Sequence, residues 1–165
     1  MNGAAGPGRP GRAGVPCGAV VPHDRCVEPL GIDRVLARVR AGLPRLTAAE
    51  AAAAVRRGAL LVDTRPEWQR AAHGEIPGAI VVERNHLEWR LDPLSPYRIR
   101  EADGHERQWI VVCQEGFSSS LAAESLRRIG LRRATDLVGG FLAWREAGLP
   151  VVRPARPTAP RGPGE

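Results

Sequence analysis

Apolar positions along the chain fall into short runs separated by polar turns. Ala59-Leu60-Leu61-Val62, Ala79-Ile80-Val81-Val82 and Trp109-Ile110-Val111-Val112 are each unbroken. Runs of this length between turn residues suit strands buried on both faces. Ala134 to Val138 reads as a further, last strand. Leu43-Pro44-Arg45-Leu46 reads as a short edge strand, since proline is tolerated at an edge. Helical patterns lie between these runs. Gly31 to Arg40 places Ile32, Val35, Leu36 and Val39 on one face. Thr47-Ala48-Ala49-Glu50 is a capping-box pattern that opens an alanine-rich helix ending before Gly58. Pro66 sits early in another short helix, whose Trp68 is expected in the core or against a neighbouring loop. His86 to Leu91 reads as a helical turn, and 92–108 as a polar surface loop. One helix runs on to about Ile129. Another begins at Gly139 and ends at Gly148, ahead of Pro150.

This alternation predicts an α/β fold with a mostly parallel sheet covered by helices on both faces. Right-handed crossovers then gather the loops after Asp63, Val82 and Val112 on one edge. Ligands bind at such strand ends in open α/β sheets. Arg84 stands just past one of them, and two roles are open to it. It could supply positive charge at a pocket mouth, or form an ion pair with Glu83 or Glu88.

Charge changes the picture less than it first suggests. The net charge is +6, and all of the basic residues are arginine. Residues 47–149 carry 14 arginines against 14 acids, so the excess belongs to the two ends. Basic ends touch polyanions weakly, which predicts no specific nucleic-acid binding. No apolar run is long enough to span a membrane. Nor does a signal-length apolar stretch follow Arg9 and Arg12, which predicts a cytoplasmic protein. Residues 1–30, rich in Gly, Pro, Ala and Arg, and 153–165 are expected to be disordered tails. A peripheral helix at 31–42 and one domain at 43–152 complete the organisation.

Three cysteines are present, an odd count that argues against a disulfide framework. Cys17, His23 and Cys26 match no zinc spacing, so no metal site is expected. Cys113 is different. It ends a buried strand and is followed by Gln114-Glu115-Gly116-Phe117-Ser118-Ser119-Ser120. Gly116 permits a tight turn, and one of the serines can cap the helix beyond. Such a junction presents backbone N–H groups and the positive end of a helix dipole, which favour thiolate over thiol. A buried structural cysteine is the plainer alternative.

Four motifs resemble the rhodanese family, in family order. They are Leu61-Val62-Asp63-Thr64-Arg65-Pro66, Gly74-Glu75-Ile76-Pro77-Gly78-Ala79, Val111 to Ser119, and Gly139-Gly140-Phe141-Leu142-Ala143-Trp144 through Val151. The resemblance implies a single rhodanese-like domain with a five-stranded parallel sheet, and sulfur transfer without a cofactor. By position, Cys113 would carry the sulfur as a persulfide. The backbone of Gln114, Glu115, Gly116, Phe117, Ser118 and Ser119 would cradle it. Small-molecule sulfur donors and thiol or cyanide-like acceptors, or a protein acceptor, are implied as partners. Phosphatases that share this fold have a loop one residue longer, closed by an arginine. Here that region is serine, and no arginine occurs before Arg127.

Some positions depart from the family pattern. Thiosulfate-using relatives often carry a basic residue in the loop, whereas this loop has Gln114, Glu115 and Ser118. Glu75 stands where relatives often have histidine, and His73 reads as a surface residue. Asp63 and Arg65 are expected to hold the loop together. A non-catalytic module that binds a partner remains the alternative to an enzyme.

Overall fold

The computed structural model describes residues 30–153. The expectations for the two tails, and for Cys17, His23 and Cys26, fall outside those residues. The chain runs α1 (Ile32–Ala41), α2 (Ala48–Arg56), β1 (Leu60–Asp63), α3 (Glu67–His73), β2 (Ile80–Val81), a 3-10 turn (Arg84–His86), α4 (Leu87–Leu91), β3 (Trp109–Val112), α5 (Ser118–Arg128), β4 (Thr135–Asp136) and α6 (Gly140–Glu146).

The sheet has four strands in the order β2-β1-β3-β4, all parallel. The expected fifth strand at Leu43–Leu46 does not form. Only Leu46 pairs, as a single parallel bridge to Leu137 beside β4. The local chemistry explains this. Pro44 has no N–H to give to a ladder, its carbonyl accepts from the Thr135 hydroxyl, and Arg45 N–H turns back to Leu43 O. One residue later Thr47 caps α2 through the predicted capping box, so nothing is left to extend the strand.

Side chains alternate along β1 and β3, and each face of the sheet has its own core. Val62, Trp109 and Val111 pack with Leu87 and Leu91 of α4 and Ala122, Ala123 and Leu126 of α5. Leu61, Ile110 and Val112 pack with the alanines of α2 and with Phe141 and Trp144 of α6. All four residues of β3 are fully buried, which makes it the centre of the domain. Truncating a side chain of this kind to alanine costs about 2–5 kcal/mol. Helix α1 lies against α5, with Leu36 its one buried side chain.

Two expectations of burial fail at the other edge. Trp68 is 66% exposed, and α3 buries none of its residues. Polar bonds hold that helix instead: Arg70 donates to the Arg65 carbonyl and pairs with Glu75 at 3.2 Å. Val81 is 44% exposed, because β2 is a two-residue strand at the edge of the sheet, with no neighbour beyond it among the described residues. Glu75 forms an antiparallel bridge with Val152, which fastens the end of the described chain to this edge.

Candidate active site

Strand β3 delivers Cys113 to the carboxyl edge of the sheet, and the chain must then turn sharply to start α5. Gly116 makes the turn at φ +80°. Its place is crowded as well as left-handed: a Cβ there would lie 2.7 Å from Gly139 N. Gly140, at φ +61°, is tighter still, since a Cβ would lie 2.5 Å from Cys113 O and 2.6 Å from Gly116 N. Loop and α6 therefore meet backbone to backbone. Phe141 N–H donates to Cys113 O at 2.8 Å, and Leu142 N–H to Gln114 O at 3.1 Å. These bonds satisfy donors at the start of α6 that have no partner within the helix.

With its carbonyls turned to α6, the loop turns N–H groups inward. Gly116 N–H lies 3.2 Å and Ser119 N–H 3.4 Å from Cys113 Sγ. The Ser119 hydroxyl lies 3.2 Å from the same sulfur. Cys113 is a free cysteine, only 7% exposed. Burial by itself pushes its thiol pKa up. Hydrogen bonds from the Ser118 and Ser119 hydroxyls and from the Ser119 and Glu115 N–H groups outweigh that, and the thiol is held below its ordinary value. Thiolate character of this kind is what a cysteine nucleophile needs.

The serines act otherwise than as helix caps. Phe117 occupies the cap position of α5, and no side chain caps it. Ser119 and Ser120 instead donate to Asp136 Oδ2, at 3.2 and 2.8 Å. Asp136 ends β4, is fully buried, and pairs with Arg45 through both carboxylate oxygens, at 2.9 and 3.0 Å. Arg45 also donates to Gly116 O at 3.3 Å, and Arg40 of α1 donates to the same oxygen at 2.9 Å. Arg40, Arg45 and Asp136 thus belong to the surroundings of the loop, where no sequence signal places the two arginines, and Ser120 belongs to it as a partner of Asp136 rather than as a helix cap. For Asp136, a lone aspartate inside a buried strand run was the available signal. Gly139-Gly140 was seen as a motif but not as a packing partner of the loop.

On the other side, Asp63 and Arg65 brace the loop, as their place after β1 suggested. Arg65 is completely buried against Asp63, 2.6 Å away. It donates to Gly74 O at 2.9 Å, reaches Gln114 Oε1 at 3.4 Å, and lies 3.7 Å over the Phe141 ring. Of the loop side chains, Glu115, Phe117 and Ser118 are exposed, and Gln114 is half-buried. Glu115 thus projects to solvent. Arg84 forms the ion-pair option, donating to both oxygens of Glu88 at 2.9 and 3.0 Å. His73 is exposed, and Glu75 pairs with Arg70.

The domain is thus a parallel α/β fold with a buried cysteine on a strand-to-helix loop, its sulfur facing two backbone N–H groups. The rhodanese-like domain model matches residues 47–147, well over half of the chain. The chain belongs to the rhodanese-like domain family. A sulfurtransferase of Allochromatium vinosum is 34% identical over 95 residues, covering 58% of this chain and 79% of that one. An uncharacterized protein of Synechocystis is 36% identical over 63 residues, 38% of this chain but only 34% of its own length. Among solved structures, a Rhodopseudomonas palustris protein of unknown function, described as a "Possible Tyrosine Phosphatase", superposes with a TM-score of 0.67. It is 33% identical and covers 74% of this chain and 94% of its own. No helix among the described residues is long and apolar enough to cross a membrane.

Proposed function

We propose that the protein is a sulfurtransferase that carries sulfane sulfur on Cys113. The observation that carries this reading is the setting of Sγ: two backbone N–H groups donate to it, from Gly116 at 3.2 Å and Ser119 at 3.4 Å, and the Ser119 hydroxyl lies 3.2 Å away. In the first half-reaction the Cys113 thiolate attacks the outer sulfur of a donor. With thiosulfate, the S–S bond breaks, sulfite leaves with its electron pair, and Cys113 becomes a persulfide. In the second, an acceptor thiolate or cyanide attacks the terminal sulfur and restores the thiolate. Donors aimed at the cysteine stabilise the negative charge that moves between the two sulfurs. Two half-reactions through one covalent intermediate predict ping-pong kinetics.

Thiosulfate, polysulfide and low-molecular-weight persulfides are the donor classes, and a small thiol, cyanide or a protein thiol the acceptors. The free thiol suits a reducing compartment such as the cytoplasm. The name of the Allochromatium relative supports the transfer chemistry. The phosphatase label of the Rhodopseudomonas neighbour raises a second reading, but a phosphate dianion wants a guanidinium fork at the loop. Among the loop residues 114–120 there is no arginine, and both Arg40 and Arg45 are committed to the Gly116 carbonyl.

The test is intact mass after incubation with thiosulfate, a polysulfide or glutathione persulfide. Gain of one sulfur by the parent protein, absent in Cys113→Ala, is the expected result. Failure to take up sulfur from every donor overturns the reading and leaves a partner-binding module. Turnover of an aryl phosphate would favour the phosphatase.

A further inference from the structure

The Cys113 loop has no cation of its own, yet two guanidiniums converge on one of its carbonyls. Arg40 comes from α1, outside the segment that matches the family model. Its Nη2 donates to Gly116 O at 2.9 Å and its Nε to Ser120 Oγ at 3.2 Å. Its guanidinium carbon also lies 5.5 Å from the centre of the Phe117 ring, within cation–π range. One side chain of α1 thus holds three successive parts of the loop: the carbonyl at the turn, the exposed aromatic, and the first buried turn of α5.

The direction of these bonds matters. Peptide planarity couples a carbonyl to the N–H on its other side. Fixing Gly116 O outward aims the Phe117 N–H the opposite way and sets the path along which Gly116 and Ser119 present their own N–H groups to sulfur. Ser120 also donates to Asp136 Oδ2, so Arg40 secures this serine from outside while Asp136 holds it from inside. Among the described residues the charged groups around this junction are Arg40, Arg45 and Asp136, with the mutually paired Arg65 and Asp63 on the far side at Gln114 and Glu115 exposed on the solvent side. Two guanidiniums therefore face one carboxylate, and positive charge remains beside the loop backbone.

We propose that Arg40 is a positioning residue for the Cys113 loop, and that α1 is a working part of the site rather than a peripheral helix. A loop that lacks its own basic residue takes its rigidity and its positive charge from behind, through a side chain of a neighbouring element. Lysine would serve poorly at this place. Its ammonium is a point charge, whereas Arg40 bridges a carbonyl and a hydroxyl with a planar fork. The proposal concerns the sulfur-carrying role read for Cys113, but its first test does not depend on sulfur transfer.

The experiment compares alkylation of Cys113 across pH in Arg40→Met, Arg40→Lys and the parent, all with Cys17 and Cys26 changed to serine. Arg38→Ala, an exposed change on the same helix, is the control. The midpoint of the Arg40→Met profile is expected to rise by about one pH unit. At pH values well below both midpoints that lowers the thiolate fraction, and the alkylation rate, by about tenfold. Arg40→Lys is expected between parent and Arg40→Met, and Arg38→Ala with the parent. Should Arg40→Met fail to fold, Arg40→Gln removes the charge and the planar fork but keeps a polar side chain, and is expected to shift the profile in the same direction. Parent-like profiles in the folded variants overturn the proposal. So does a uniform loss of rate with an unchanged midpoint, which is what general loosening of the loop would give. Sulfur uptake measured on the same variants separates the two questions. If the parent takes up no sulfur, the transfer reading fails while the alkylation profiles still decide the role of Arg40.

Discussion

Two arginine–aspartate pairs, one buried and one half-open, flank the central strand, and they brace opposite sides of one loop. Asp63 ends β1 and pairs with Arg65; Asp136 ends β4 and pairs with Arg45. Both strands are direct neighbours of β3 in the sheet. The first pair is closed off, since Arg65 has no exposed side-chain surface and holds Gln114, Gly74 and the Phe141 ring. The second pair is a relay. Asp136 collects two serine hydroxyls beside the sulfur, and Arg45, 18% exposed, touches the Gly116 carbonyl. One pair fixes where the loop stands, and the other shapes the donors that face Cys113.

The comparison breaks most sharply at the carboxylates. Asp63→Ala strands a fully buried guanidinium and is expected to lower stability by about 3–5 kcal/mol, read by denaturant unfolding. Asp136→Ala leaves Arg45 a path to water and its bond to Gly116. Its expected cost is about 1–3 kcal/mol, with a larger loss of Cys113 reactivity than of stability. Equal costs for the two would show that both pairs are merely structural. Gly140→Ala tests the backbone contact that both pairs frame. A methyl group at a left-handed position, 2.5 Å from Cys113 O, is expected to cost about 1–3 kcal/mol and to slow alkylation of Cys113.

The pH dependence sharpens the relay side. The Cys113 thiol is lowered because donors from Ser118, Ser119 and Glu115 outweigh burial. Alkylation should therefore stay fast below the free-thiol pKa of about 8.5 and fall away only as pH drops through the lowered value. Ser119→Ala is expected to move that midpoint up, towards a free thiol. By linkage, the thiolate's contribution to folding is fully present above the free-thiol pKa and is lost as pH falls through the folded one. The smallest effect is expected at Arg84. Arg84→Ala removes one i,i+4 pair with Glu88, worth about 0.3–0.5 kcal/mol, and sulfur uptake should be unchanged. A fall in uptake would return Arg84 to the pocket mouth.

Much of this was legible in local pattern. The apolar run at Trp109–Val112, the turn glycine at 116 and the cysteine between them placed the loop without any long-range information. The Thr47–Glu50 capping box did the same for α2. Trp68 and Val81 were misjudged for one reason. An apolar residue on a short edge element carries the same letter as one in the core, and only the neighbours decide whether it is covered. The pattern at Leu43–Leu46 suggests an edge strand that does not form, because the partners of Pro44 and Arg45 lie 91 residues away, at Thr135 and Asp136.

The two braces divide along the same line. Asp63 and Arg65 stand two residues apart, so chain geometry alone brings them together, and their role could be read from the sequence. Arg40 and Arg45 meet the loop across more than seventy residues. Nothing local distinguishes them from the many other arginines of this chain. The place of Cys113 at the strand end and the turn beneath it came from sequence, because they depend on adjacent residues and on the φ that glycine permits. The positive charge and the serine–aspartate relay behind that turn were decided by tertiary structure, because only the packing of α1 and β4 against the loop chooses which charges stand beside it.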